Sequence, residues 1–227
     1  MAETDEEAQG TTAGKAVPPP PALHLSRITW EKDRVIHRIH EDKYPGTAFN
    51  PGLRGNARFS PIRNSRALPI PTLYGGDTFE CAAMETVFHD VPYSAGFKFY
   101  DKGKLAGQTY TQLIPAADLV LADLGSKALR KLGVQRRHLI DTEKDQYPVT
   151  RQWAEAIHAQ HADVQGLCWV SRQDDGARAL VLFGDRLEDG SLKQVSVPAS
   201  LAGHADCHGR LLALAEHIGV HIIPGKT

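Results

Sequence analysis

Apolar positions along this chain fall mostly in short clusters separated by turn residues, a spacing that predicts many brief strands and few helices. Val35-Ile36-His37-Arg38-Ile39 reads as a strand that sets Arg38 between apolar neighbours. Tyr44-Pro45-Gly46 and Asn50-Pro51-Gly52 mark turns. A short β-like run then carries Arg58, and a second, from Pro69, ends on Tyr74. Gly75 and Gly76 form a turn with Asp77 that launches a helix running to His89, with Asp77 as its cap and Glu80 completing a capping box. Alternation over Gln108–Leu113 and the run Leu119-Val120-Leu121 predict two more strands. A short helix follows over Ser126–Leu132, stopped by Gly133. The spacing of Trp153, Ala154 and Ile157 predicts a helix over Thr150–His161. Gly166–Ser171 and Ala179–Phe183, joined by Asp174-Asp175-Gly176, read as a hairpin. Leu192–Val197, a helix over Leu211–Ile218 and a last strand, Val220–Ile223, complete the pattern. Short strands with three or four helices, in no regular βαβ rhythm, give an α+β class with mixed short-stranded sheets packed together.

The pattern places a disordered acidic and proline-rich tail over residues 1–22 and one folded domain over residues 23–227. The tail gathers Glu3, Asp5, Glu6 and Glu7, then small residues, then the prolines Pro18 to Pro21, which favour an extended spacer. A net charge of −1, with cations spread along the chain, argues against direct nucleic-acid binding. The 3 cysteines (Cys81, Cys168 and Cys207) lie far apart, as in a reducing compartment. With no signal core and no apolar run of about 20 residues, the expectation is a cytoplasmic protein that does not enter a membrane.

Chemistry gathers between Arg54 and His89. On the helix there, Cys81, Met84, Glu85 and Phe88 share a face, so an acid sits in an apolar stripe and must find donors. Arg38, Arg58, Tyr74 and Ser171 all lie on short β-like elements that can converge on it. Two guanidinium groups suit phosphate oxygens, a tyrosine suits an aromatic ring, and a carboxylate facing a ribose can stabilise positive charge at the anomeric carbon. His204, Cys207 and His208 have a ligand-like spacing, but no further ligand of comparable signal accompanies them, so no metal is expected. Arg136-Arg137-His138 reads as a solvated face, and no Walker loop, GxSxG elbow or GxGxxG after a strand is present.

Taken together, Arg38 in VIHRI, Arg58 in ARFSP, Tyr74 in TLYGGD, Glu85 in CAAMETVFH and Ser171 in GLCWVSR make the chain resemble the RES-domain family from about Val35 onward. DTEKDQYPVTRQWAEAIH, ahead of the Ser171 strand, is similar to the family's run there. The chain departs from the family around its second arginine. Asn56-Ala57 replace a double glycine, Phe59 replaces a tryptophan, and Ile62 stands where a later glycine is usual. The resemblance implies an ADP-ribosyltransferase-like fold and an enzyme that consumes NAD as substrate, without a metal. It implies Glu85 and Arg38 as catalytic residues, with Arg58, Tyr74 and Ser171 binding the dinucleotide. It also implies the toxin half of a bacterial toxin–antitoxin pair, whose Xre-type antitoxin occludes the active site. ADP-ribose would pass to a protein target; transfer to water or phosphate is the alternative, and a non-catalytic nucleotide-binding module is a further one.

Overall fold

The apolar runs become a mixed sheet of nine strands in the computed structural model, which describes residues 15–225. In chain order the elements are β1 (Arg27–Trp30), β2 (Ile36–Glu41), β3 (Ile62–Arg63), β4 (Pro69–Ile70), β5 (Thr72–Gly76) and α1 (Phe79–Thr86). There follow β6 (Lys98–Asp101), β7 (Gln108–Pro115), β8 (Leu119–Asp123), α2 (Ser126–Leu132) and α3 (Tyr147–Gln160). The chain closes with β9 (Gly166–Val170), β10 (Arg178–Phe183), β11 (Leu192–Gln194), β12 (Ala199–Ser200), α4 (Ala205–His217) and β13 (Val220–Ile223). The large sheet runs β1-β8-β9-β10-β5-β2-β7-β11, with β12 also on β7. Its pairs are antiparallel except β8 with β9, whose crossover contains α2 and α3. The class is therefore α+β, and β9 and β10 form the hairpin the alternation predicts.

Period-two burial divides the sheet into two apolar faces. Along β10, Ala179, Val181 and Phe183 join Leu167, Trp169 and the Trp153 and Ile157 side chains of α3, whereas Leu180 and Leu182 join Ile36, Leu73 and Cys168 on the opposite face. A third cluster, on the same face as α3, brings Phe79, Ala83 and Phe88 from the α1 segment against Leu211 and Ala215 of α4 and Ile39 of β2.

Three local expectations change. Gly75 and Gly76 are strand residues of β5 rather than a turn. A Cβ on Gly75 would lie 2.4 Å from an Ile36 methyl, and one on Gly76 would lie 2.9 Å from the Cys81 sulfur, so the glycines allow β2 and α1 to approach β5. The cap of α1 is Thr78, whose hydroxyl accepts from Cys81 N at 2.9 Å, because Asp77 is already engaged with the backbone of Arg178 across the sheet. The strands β1 and β6 were not among the predicted elements. β6 pairs in parallel with β13, outside the main sheet.

The proline-rich run is also not a free spacer where it is described. Ala16 N donates to Gln146 Oε1 at 3.1 Å, Trp153 Nε1 donates to Val17 O at 2.6 Å, and Leu23 N donates to Gln160 Oε1 at 2.9 Å. Residues 16–23 therefore lie along α3 as a strap, running in the same direction as the helix, over a fully buried Trp153. The acidic residues of the expected tail fall outside the described residues. No helix among those described is long and apolar enough to cross a membrane.

Candidate active site

A cleft of about 350 Å³ opens at the seam between the two clusters on the α1 and α3 side of the sheet. Ile39 and Ala82 form one wall, Trp169 and Ala179 the other, and Arg58, Tyr74, Glu85, His89 and Tyr147 supply its polar groups.

Glu85 stands on the last turn of α1 and is half-buried. Ser171, the residue after β9, is fully buried, and its Oγ donates to Glu85 Oε1 at 2.6 Å. The same Oγ accepts from the backbone N–H groups of Gln173 at 3.0 Å and Asp174 at 3.1 Å. Those two groups can only donate, so the single hydroxyl proton is directed at the carboxylate. Glu85 Oε2 has no hydrogen-bond partner among the described residues and is not sealed from solvent, and Glu85 lines the cleft. Arg136 steadies the serine from behind, donating to the carbonyls of Val170 at 3.1 Å and Ser171 at 3.2 Å while pairing with Asp141 at 3.0 Å. Arg136 is thus a bonded part of the structure, in contrast to the solvated face expected of its segment. Below Glu85, burial pushes the Cys81 thiol up, so it stays neutral.

Arg58 is 6% exposed and sits in a loop between β2 and β3, where the sequence predicts a β-like run; nearby, Ala57 and Ser60 form only an isolated bridge. Its Nη1 donates to the Thr142 carbonyl at 3.1 Å and hydroxyl at 2.6 Å, and its guanidinium lies 5.1 Å over the Tyr147 ring. Thr150 on α3 fixes the Arg58 carbonyl with its hydroxyl at 2.5 Å. Burial lowers the pKa of Arg58, partly offset by Tyr147 and Glu85. Its Nε and Nη2 make no hydrogen bond among the described residues and are not sealed from solvent, so a planar pair of donors remains for an anion. Arg172 also donates to the Thr142 carbonyl, at 2.6 Å. The Tyr74 hydroxyl accepts from Phe59 N at 3.1 Å, and burial pushes its pKa up to about 12. Its ring stands edge-on to Trp169 at 6.3 Å and offers the cleft an aromatic face.

The structure brings four of the five expected residues together and leaves one apart. Ile39 lines the cleft, so its neighbour Arg38 projects from the opposite face of β2, the side of Ile36. There the Arg38 guanidinium donates to the Gly46 carbonyl, and burial pulls its pKa down to about 10. The expected pair of flanking arginines is thereby corrected: Arg58 stands at the cleft with Arg172 behind it at Thr142, and Arg38 anchors a loop. His89 and Tyr147 were not anticipated. His89 follows Glu85 by four residues, a usable signal, although α1 ends at Thr86 and not at His89 as expected; Tyr147 is distant in sequence and carries none. In the segment with ligand-like spacing, His204 caps α4 and His208 Nδ1 lies 2.9 Å from the Leu201 carbonyl.

The family model described as RES domain matches residues 35–204, well over half of the chain, so the protein belongs to the RES-domain family. The matched region contains every residue of the cleft. Membership is consistent with an NAD-utilising enzyme. Among curated proteins, no sequence matches the chain.

Proposed function

We propose that the cleft binds NAD, cleaves the bond between nicotinamide and ribose, and transfers ADP-ribose to a protein acceptor. The observation that carries the reading is a carboxylate with one oxygen held by Ser171 at 2.6 Å and the other free, in the same cleft as the unspent donors of Arg58. As nicotinamide leaves, positive charge grows on the ribose, and Glu85 would stabilise it while accepting the ribose hydroxyl protons. Ser171 keeps the carboxylate oriented before the charge appears. The Nε and Nη2 of Arg58 would take the pyrophosphate, and Tyr74 with Trp169 would receive the nicotinamide ring. The role earlier expected of Arg38 is not part of this mechanism.

We further propose that the protein is the toxin of a toxin–antitoxin pair. An Xre-type partner would silence it by placing a carboxylate against the donors of Arg58. Incubating cell extract with the protein and NAD labelled in the adenylate half tests both outcomes of the chemistry. A labelled polypeptide supports transfer to protein; free ADP-ribose or its phosphate, with no labelled polypeptide, replaces that acceptor with water or phosphate. NAD that persists with the unaltered protein overturns the enzyme reading and leaves a binding module.

A further inference from the structure

We propose that His89, oriented by Asp90 and reached through the Tyr147 hydroxyl, is the proton acceptor for the incoming nucleophile, and that the acceptor is therefore a neutral hydroxyl, of water or of a serine or threonine side chain. The inference rests on the NAD reading and specifies the second substrate of that same site.

The geometry is that of an oriented base. His89 Nδ1 lies 2.8 Å from Asp90 Oδ1, and His89 Nε2 lies 3.2 Å from the Tyr147 hydroxyl. A carboxylate can only accept, so Nδ1 carries the ring proton and Nε2 presents its lone pair to Tyr147. Asp90 is itself fixed by Lys144 at 2.6 Å, and Gln173, beside Ser171, donates to the His89 carbonyl at 3.3 Å. Tyr147 is held as the platform beneath Arg58, so its hydroxyl has a set position in the cleft wall. No other part of the proposed bond cleavage uses this chain of groups.

The location supports the role. A second, more open cleft of about 540 Å³, lined by His89, Tyr93, Glu143, Lys144, Arg172 and Gln173, shares His89, Asp90 and Lys144 with the first. A nucleophile arriving from that side would enter past His89, where the second cleft joins the one that holds Glu85. Asp90 and Glu143 pair with Lys144 and Arg172, so neither of these cations stands free to collect an anionic acceptor such as phosphate.

In the step itself the glycosidic C–N bond breaks and its electron pair stays on nicotinamide, neutralising the pyridinium. The nucleophile's oxygen forms the new bond to the anomeric carbon. Its proton moves to the Tyr147 oxygen as the tyrosine's own proton passes to His89 Nε2, and the imidazolium is balanced by Asp90. A positioned base of this kind contributes roughly 100-fold to 10,000-fold.

An acceptor that arrives as an anion has no proton to lose, so sodium azide discriminates. His89→Asn should lower NAD turnover at least about 100-fold with NAD affinity unchanged, and azide should restore turnover as the azido adduct of ADP-ribose. Glu85→Gln should not be rescued. Undiminished turnover by His89→Asn overturns the proposal, as does loss that azide does not restore in protein that still binds NAD. If His89→Asn does not fold, Tyr147→Phe carries the same test, since it keeps the ring under Arg58 and removes the relay. Labelled polypeptide against free ADP-ribose separates a side-chain hydroxyl from water. No turnover by the unaltered protein overturns the NAD reading, and the relay with it.

Discussion

Ser171→Ala isolates the link between fold and chemistry more sharply than any change to Glu85. The hydroxyl makes one hydrogen bond to a carboxylate and accepts two from part-buried backbone N–H groups. A bond to a charged group contributes about 1.5–3 kcal/mol net, and each N–H left without its acceptor costs about 1 kcal/mol where water can reach it. The variant should therefore lose about 3.5–5 kcal/mol of unfolding free energy. If the carboxylate bond is needed at full strength in the transition state, its share corresponds to about 10–150-fold in turnover. Urea denaturation measures the first quantity, and NAD turnover by the folded fraction, with saturating NAD, measures the second. Pairing the change with Glu85→Ala completes the argument. In that background Ser171→Ala should still cost stability, through the turn, but should reduce turnover no further. Stability lost without any loss of turnover in the single variant would refute the claim that the serine sets the catalytic carboxylate.

Other outcomes follow from the same geometry. Arg58→Lys, which loses the planar fork, should weaken NAD binding at least about tenfold, whereas Arg38→Lys should cost stability at the Gly46 loop and change NAD affinity by far less; equal effects on titrated binding would return Arg38 to the site. Tyr74 keeps its proton to about 12 in the folded chain against about 10 unfolded, so the unfolded state deprotonates first and stability falls as pH rises through that window. The loss should approach about 2–3 kcal/mol, and Tyr74→Phe should remove that part of the alkaline slope in denaturation curves. Deleting residues 1–22 should lower the unfolding midpoint, because it uncovers Trp153 and removes the partners of Gln146, Trp153 Nε1 and Gln160 Nε2; an unchanged midpoint would show that these contacts contribute nothing.

Much of the architecture was legible where local chemistry and burial agree. The helix α2 ends on Gly133, which takes a positive φ of 79°, because the stop signal is contained in one residue. The hairpin carrying Ser171 was legible from an apolar run, a turn rich in Asp and Gly, and a second run. Glu85 stood out as an acid inside an apolar stripe. What eluded the sequence depended on neighbours that are distant along the chain. Asp77 has the composition of a cap, but the backbone of Arg178 claims it, and the cap moves to Thr78. The paired glycines resemble a turn until the Ile36 side chain is placed against them. The strand position of Arg38 and the family resemblance both point it to the cleft, yet it faces the other way. Which parity of that strand faces the cleft is set by the sheet's packing, and alternation by itself does not reveal it. Tyr147 joins His89 only after α3 has been laid beside α1.

The cleft's position at a seam has a thermodynamic corollary. Its two walls are packed separately, one around α1 and α4 and the other around α3, so the groove between them is where the molecule should part most readily on warming. A dinucleotide lodged there would act as mortar between the halves. At a hundred times its dissociation constant it would add about 2.7 kcal/mol against unfolding. The same joint means that a starved molecule and a well-supplied one would differ in durability as well as in work done, with the reactant itself serving as the missing piece of the interior.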